Sequence, residues 1–528
     1  MKKVLVSDGL SKEGLEILGK VESIAVDVKK GLKPEELLAC IGDYEAIIVR
    51  SATKVTKEVI EAGKKLQVIG RAGVGVDNID VKFATQKGII VMNAPGGNTV
   101  STAEHTVGMI LALSRNIPQA NKSVKEGKWE KTKYTGVELS GKTLGVIGLG
   151  RIGAYVAQLG LAFNMKVLGY DPYISQEKAK RIGVELVELD ELYRKSDYIT
   201  LHVPKSDETK GMISKGEIDK MKDGVRIINC ARGGLIDESA LYEGLKSGKV
   251  AGAALDVYVN EPPVGSPLIE LDNCITVPHL GASTYDAEIN VGIEMAHQIV
   301  DALTGGPIRN ALNIQQVDPD ILQEVQPYLT LSEKIGSLHA QLISGGIKEV
   351  EIKVSGEIAS YEVAPFTVAV LKGMLATILK EPVVNYVNAP FIAKERAIEV
   401  IENKETKEED FVNLITVTLK TDEKTSQIAG SIFQKNDARI VEIDGFRIDA
   451  IPQGDMLFIS NIDKPGVLGK IGTILGKNNI NIAGLQMGRK AIGGKQLIVL
   501  NVDEPIPESV LQEINMQDEI LDTKLVKL

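Results

Sequence analysis

Residues 142–172, KTLGVIGLGRIGAYVAQLGLAFNMKVLGYDP, constrain the fold more than any other part of the chain. The apolar run 144–147 reads as a buried strand, and Gly148, Gly150 and Gly153 form GxGxxG where a helical period begins. Val156, Leu159, Gly160 and Phe163 recur at i, i+3, i+4 and i+7 as the inward face of that helix. A second strand, 166–170, leads to Asp171. This is the pattern of a βαβ unit that binds a dinucleotide. Gly148 permits the tight turn, Gly150 lets the backbone approach a pyrophosphate, and Gly153 lets helix pack on strand, while the helix N-terminus supplies N–H donors and positive dipole. Asp171 is spaced to accept hydrogen bonds from a ribose diol. It also selects the cofactor, because each negative charge on a 2′-phosphate about 4 Å away costs roughly 4 kcal/mol at an effective dielectric near 20. No arginine among Pro172, Tyr173 and Ile174 offers to receive that phosphate. The expected cofactor is NAD.

A chain of 528 residues has room for three or four domains. Before the glycine motif, short apolar runs at 4–6, 24–26, 46–49, 67–69 and 89–91 alternate with helix-like segments, the pattern of a parallel α/β sheet. Further strands are expected at 198–203, 225–229, 252–257 and 274–277, each ending in polar residues that should face one cleft. A helix from Thr102 leads into the cofactor domain, and one from Tyr285 to Leu303 leads back. The expected fold is therefore α/β, with two Rossmann-like doubly wound parallel-sheet domains. Residues 1–98 and 284–305 form a discontinuous substrate-binding domain, and 99–283 form the NAD-binding domain. The charged segment 122–133, with the lone tryptophan Trp129, reads as a loop. Residues 317–450 read as an intervening α+β domain, with helices at 329–342 and 366–379, strands at 349–355, 414–421 and 439–443, and a charged region at 401–410. Its Arg439 and Arg447 read as solvated surface charge. Residues 455–528 follow the order βαββαβ of a ferredoxin-like module.

A net charge of −10 provides no electrostatic footprint for nucleic acid or an anionic membrane. No apolar run reaches 18 residues, and the N-terminus lacks a signal-length apolar region. Cys40, Cys230 and Cys274 are too scattered for a disulfide framework, and no close Cys/His cluster points to a metal. A reducing cytoplasm is the expected location.

Three strand ends carry what hydride transfer to a 2-oxo acid requires. His279, in PHLGAST, is the acid/base, since histidine titrates nearest neutral pH. Glu261, in NEPP, is the carboxylate that would hold and charge the imidazole. Arg232, in NCARGG, offers a planar fork for a carboxylate or carbonyl. Of the other histidines, His202 sits at a strand end and is a candidate cofactor neighbour, while His105, His297 and His339 are assigned to packing or surface.

The motifs GLGRIG with Asp171, NCARGGLID, ALDVY, NEPP and PHLGAST resemble those of the D-2-hydroxyacid dehydrogenase family, over residues 1 to about 310. VRSATKVT, RAGVGVDNID and NAPGGNTVSTAEH resemble its long-form members, which oxidise 3-phospho-D-glycerate to 3-phosphohydroxypyruvate. The resemblance implies Arg232, Glu261 and His279 as the catalytic set. It implies NAD contacts at Arg151, Ile152, Asp171, Thr209, Cys230, Ala231, Asp256, Leu280, Gly281 and Ala282, with Asp256 meeting the nicotinamide carboxamide. It implies substrate contacts at Arg50, Arg71, Val74, Gly75 and Asn98, and it leaves Lys131 and Lys133 open between a substrate role from a neighbouring subunit and simple exposure.

The last module resembles an ACT domain, a small-molecule sensor of amino-acid biosynthetic enzymes. An amino acid needs oxygens for its amine and donors for its carboxylate, and Asp463, Asn461, Asn481 and the N–H groups of Gly466 and Val467 are the candidates. The implied effector is L-serine, and the implied assembly is a homodimer or homotetramer. Two alternatives stay open: a dehydrogenase of another 2-hydroxy acid such as glycerate or glycolate, and an NAD-responsive binding protein on a dehydrogenase scaffold.

Overall fold

In the computed structural model, which describes residues 1–315, 317, 319–379, 383–407, 410–434 and 436–528, four sheets follow one another along the chain. The first is parallel, in the spatial order Ile24–Val28, Lys2–Val6, Ala46–Val49, Val68–Arg71, Ile90–Asn93. Its central strands are short apolar runs covered on both faces, as a parallel sheet between helices demands. Val4, Val6, Ala46 and Ile48 enter one core, and Leu5, Ile47 and Val49 enter the other. Chain order reverses at Lys2–Val6, so the loops after Val6 and Val49 part and open a crevice at the carboxyl ends.

The second sheet is also parallel: Cys274–Thr276, Val250–Leu255, Val225–Asn229, Tyr198–Leu201, Thr143–Ile147, Lys166–Tyr170, Glu185–Leu186. Its reversal falls at Thr143–Ile147, immediately before the glycine motif. The helix Thr99–Arg115 lays Ala103, Met109, Ile110 and Leu113 on this sheet. Tyr285–Thr304 buries Val291, Met295, Ala296 and Ile299 in the core of the first sheet instead. The chain thus passes between the two sheets twice, near 94–98 and near 278–284.

The third sheet is mixed: Glu399–Glu405, Ile347–Gly356, Asn413–Thr421, Thr425–Phe433, Asp437–Ile443, Phe446–Ala450, with only the first pair parallel. The helices Pro319–Leu342 and Ala364–Ile378 contribute Leu331, Ile335, Phe366 and Val370 to its core. The fourth is antiparallel, Ile482–Arg489, Lys495–Val502, Asp455–Ile462, Ile520–Lys527, which with its two helices is the ferredoxin-like order. One face, with Leu457, Ile459, Ile498 and Leu500, lies under its own helices. The other, with Met456, Phe458, Val499 and Val526, joins the core of the third sheet.

Several local expectations change. The helix of the glycine motif stops at Ala162, so Phe163 falls beyond it and is exposed, and Ala157 is buried in its place. The charged segment 122–133 begins inside the helix Ile117–Lys125 before it becomes a loop. The first half of 401–410 belongs to the edge strand Glu399–Glu405, where charge is tolerated and guards against further pairing, while 408 and 409 lie outside the described residues. Among the described residues no helix is long and apolar enough to cross a membrane.

Candidate active site

Residues from the carboxyl ends of both parallel sheets line one cavity of about 770 Å³. The first sheet contributes Arg50 and Arg71, then Val74 and Gly75 from the following loop, and Asn98 at the start of the crossing helix. The second contributes Arg232, Glu261 and His279, each from the segment after a different strand. The loops are held by side chains that the sequence did not single out. Asp8 accepts the N–H groups of Arg50 at 2.7 Å and Thr53 at 3.0 Å. Asn93 donates to the carbonyl of Val74 at 2.6 Å. Asn229 folds the next loop back on its strand, accepting from the Ala231 N–H at 3.0 Å and donating to the Arg232 carbonyl at 2.9 Å.

Three guanidinium groups converge on the cavity. Arg71 is largely buried, and that burial, with Arg232 and Arg50 nearby, pushes its pKa down to about 10. It still carries its charge at neutral pH. Arg71 has no ion-pair partner among the described residues, whereas Arg50 pairs with Glu288, and Arg232 places Nε 3.3 Å from Asp77 Oδ2. Such a wall suits a ligand with more than one negative charge.

His279 sits with Nδ1 2.8 Å from Glu261 Oε2, and the other oxygen of Glu261 accepts the Tyr258 N–H at 3.1 Å. Nδ1 is thereby committed to the carboxylate. Nε2 is left as the ring nitrogen for a ligand in the cavity.

The glycine turn fits a dinucleotide. Gly148 has φ 91°, and a Cβ there would lie 2.7 Å from the His202 carbonyl oxygen. A Cβ on Gly153 would lie 1.9 Å from the Gly148 oxygen, while nothing stands within 4 Å of one on Gly150, the side open to a pyrophosphate. Asp171 also braces the turn from the end of the second strand, since Oδ2 accepts the Leu149 N–H at 2.8 Å and Oδ1 the Tyr173 N–H at 2.9 Å. Each oxygen keeps a lone pair for a diol.

Arg151 and Ile152 open the helix after the turn, and Thr209 lies in the loop beyond Tyr198–Leu201, where its hydroxyl accepts the Ser206 N–H at 2.8 Å. Cys230 is buried, and desolvation lifts its thiol to about 12, which makes it a packing group rather than a nucleophile. Ala282 lines the cavity, while Leu280 and Gly281 donate their N–H groups to Asp256. Both Asp256 oxygens therefore already hold main chain. His202 bonds Thr200 at 3.0 Å beside the glycine turn, His297 is exposed, and His339 is fully buried. His105, expected to serve packing or surface, lies with Nε2 3.5 Å from Asp256 Oδ1.

Three family profiles match the chain: D-isomer specific 2-hydroxyacid dehydrogenase, NAD binding domain, over 107–281; D-3-phosphoglycerate dehydrogenase intervening domain, over 324–444; and ACT domain, over 456–515. A D-3-phosphoglycerate dehydrogenase of Archaeoglobus fulgidus is 48% identical over 529 residues, covering 100% of both chains. One of Bacillus subtilis is 44% identical over 528 residues, again covering 100% of both. The chain belongs to the D-3-phosphoglycerate dehydrogenase family. Like its long-form members, this dehydrogenase is an NAD-dependent oxidoreductase with an intervening and an ACT domain. Among solved structures, a D-lactate dehydrogenase of Aquifex aeolicus complexed with NAD and lactic acid superposes with a TM-score of 0.52 at 32% identity, covering 57% of this chain and 96% of its own.

In the ACT domain of this dehydrogenase the candidate effector residues do not form one pocket. Asp463 accepts from Arg489 at 2.9 Å, which holds its carboxyl below the usual range, and from the Gly493 N–H at 3.3 Å. Gly466 and Val467 open the helix Val467–Lys477 nearby. Asn461 is buried, with Nδ2 donating to Gln496 at 3.1 Å and Oδ1 without a protein partner. Asn481 stands at the other end of the sheet, bonded to Asp503 at 2.6 Å and Glu504 at 2.7 Å. An eight-residue strand separates the two ends, a span of roughly 25 Å. Lys131 and Lys133 do not line the cavity between the two parallel sheets.

Proposed function

We propose that this chain oxidises 3-phospho-D-glycerate to 3-phosphohydroxypyruvate with NAD, the first step of L-serine biosynthesis. The observation that carries the reading is the convergence of Arg50, Arg71 and Arg232 on the cavity that also holds the His279–Glu261 pair. Bound NAD supplies an acceptor for the hydride that leaves the substrate carbon. The Gly148–Gly153 turn, with Arg151 and Ile152, would hold its pyrophosphate, and Asp171 its ribose. His279 takes the hydroxyl proton on Nε2, and Glu261 fixes the ring through Nδ1 and stabilises the imidazolium. Arg232 clamps the substrate carboxylate with its fork, while Arg50 and Arg71 receive the phosphate. Val74, Gly75 and Asn98 supply further polar groups, and Asp256 with Leu280, Gly281 and Ala282 shapes the nicotinamide side.

In this reading residues 1–98 with 284–305 form the substrate-binding domain and 99–283 the NAD-binding domain, and the two crossings are the hinge on which the cleft closes. Residues 317–450 and 455–528 form the regulatory half. L-Serine binds at the ACT domain of a cytoplasmic homodimer or homotetramer and inhibits. Because Asp463, Gly466 and Val467 lie far from Asn481 within one chain, the effector site draws Asn481 from a second copy.

The test follows NADH oxidation with phosphohydroxypyruvate, hydroxypyruvate and glyoxylate, each with and without L-serine. Phosphohydroxypyruvate is expected to have the highest kcat/KM, and L-serine to lower turnover. Equal rates with the unphosphorylated acids would make the chain a general 2-hydroxyacid dehydrogenase. No oxidation with any acid would leave an NAD-responsive binding protein.

A further inference from the structure

Asp256 follows the strand Val250–Leu255 and is completely buried. Its Oδ1 accepts the N–H of Leu280 at 2.6 Å, and its Oδ2 accepts that of Gly281 at 2.8 Å. These amides come directly after His279, whose φ of 55° lies in the left-handed region. A residue with a Cβ occupies that region only when its surroundings impose it. Gly281 approaches so closely that a Cβ there would sit 3.1 Å from Asp256 Oδ2. The buried carboxylate thus pins the turn, and the turn sets the direction in which the His279 ring leaves the backbone toward Glu261.

A carboxylate this deeply buried requires a counter-group. Within ion-pair distance among the described residues only His105 answers, with Nε2 3.5 Å from Oδ1. The Cys230 thiol lies in the same cluster, where a His105 ring nitrogen, Cys230 Sγ and an Asp256 oxygen are all within 4.8 Å of one another. Burial keeps that thiol protonated, so it adds no charge. His105 comes from the helix Thr99–Arg115, far from the turn in sequence, and its Nε2 is buried with no hydrogen-bond partner.

We propose that His105 is a positioning residue for the reaction: it orients the Asp256 carboxylate, which holds the 279–281 turn and so sets His279 against Glu261. The inference rests on the acid/base role given to His279 above.

Two variants in the full-length protein test it. His105→Leu removes the ring nitrogens while preserving a good helix former, and His105→Gln restores an N–H donor of similar reach. Amide exchange in the segment 277–283 is expected to quicken about tenfold in H105L, where Asp256 loses the ring nitrogen that faces it, and to return most of the way in H105Q. In steady state kcat should fall about tenfold in H105L, with the Kd of NADH changed by less than about twofold. Unchanged exchange in H105L overturns the proposal. So does equal loss in both variants, or a defect confined to NADH affinity. If H105L does not fold, His105→Phe, which fills the same space, takes its place and must show the same exchange. Exchange is read without substrate, so a wild type that fails to oxidise NADH with any acid sinks the reading of the site, and the exchange result still decides His105.

Discussion

Arg71 in the wall of the cleft has no ion pair among the described residues, whereas Arg439, Arg447 and Arg489 in the C-terminal half are each tied to an aspartate at 2.7–2.9 Å. Apolar packing divides in the same way. The two parallel sheets have four separate cores, none of which crosses the cleft. The third and fourth sheets share one core, which holds Phe458 of the ACT strand together with Leu331 and Ile335 of the intervening domain. The first half keeps one unpaired guanidinium in the wall of a cleft that no apolar core crosses. The second half ties these three guanidinium groups to its own aspartates and merges apolar faces of its two sheets.

The largest effect that would break this contrast lies in the cleft. His279→Ala is expected to lower kcat by about 10²–10⁴-fold, the usual worth of general acid/base help, with NADH binding by fluorescence retained. Unchanged turnover would remove His279 from the mechanism. In the C-terminal half, Phe458→Ala opens a cavity and should cost about 3–5 kcal/mol. Calorimetry should show the intervening and ACT domains losing stability in a single transition, and two separate transitions would contradict a shared core.

A third prediction concerns pH. His339 is fully buried, and desolvation holds its pKa down to about 4. The unfolded chain would titrate near the ordinary 6.5, so the stability given by the neutral ring is complete above that pH and lost as pH falls toward 4. The total is about 3 kcal/mol. The C-terminal melting temperature should fall over this window, and His339→Leu should flatten the slope; an unaltered slope would assign the acid sensitivity elsewhere. The smallest effect sharpens the electrostatic side. Arg71→Met should raise KM for phosphohydroxypyruvate about 10–100-fold while changing KM for hydroxypyruvate much less. A similar rise for both would place Arg71 at the carboxylate rather than the phosphate.

Elements with a strong period were legible in the sequence. The strands at 46–49 and 225–229, the glycine turn and the ACT order appear where their hydrophobic patterns put them. Three strands of the intervening sheet, Glu399–Glu405, Thr425–Phe433 and Phe446–Ala450, were not anticipated, because EVIENKE reads as a charged surface run, TSQIAGSIF interleaves small and polar residues, and FRIDA is short. Phe163 shows the limit of periodicity, since the pattern continued one residue past the helix. At the site, residue types at strand ends pointed to Arg232, Glu261 and His279. The residues that hold them were not legible: Asp77 lies 155 positions from Arg232, and His105 lies 151 positions from Asp256. Pairs that distant are made by topology, and a single sequence carries no local mark of them.

The return of the helix Tyr285–Thr304 to the first sheet has a consequence for how the chain is made. About 200 residues separate Asn93, the end of the fifth strand, from Val291, the first apolar residue of that helix in the core. At about 5–20 residues per second a ribosome needs roughly ten to forty seconds to cover that interval. Through it, the face formed by Val4, Val6, Ala46, Ile48 and Val68 waits for its cover. The N-terminal sheet begins synthesis first yet is completed only after the NAD-binding sheet has emerged, and a chain arrested before residue 285 would present an oily parallel sheet to chaperones or to its neighbours.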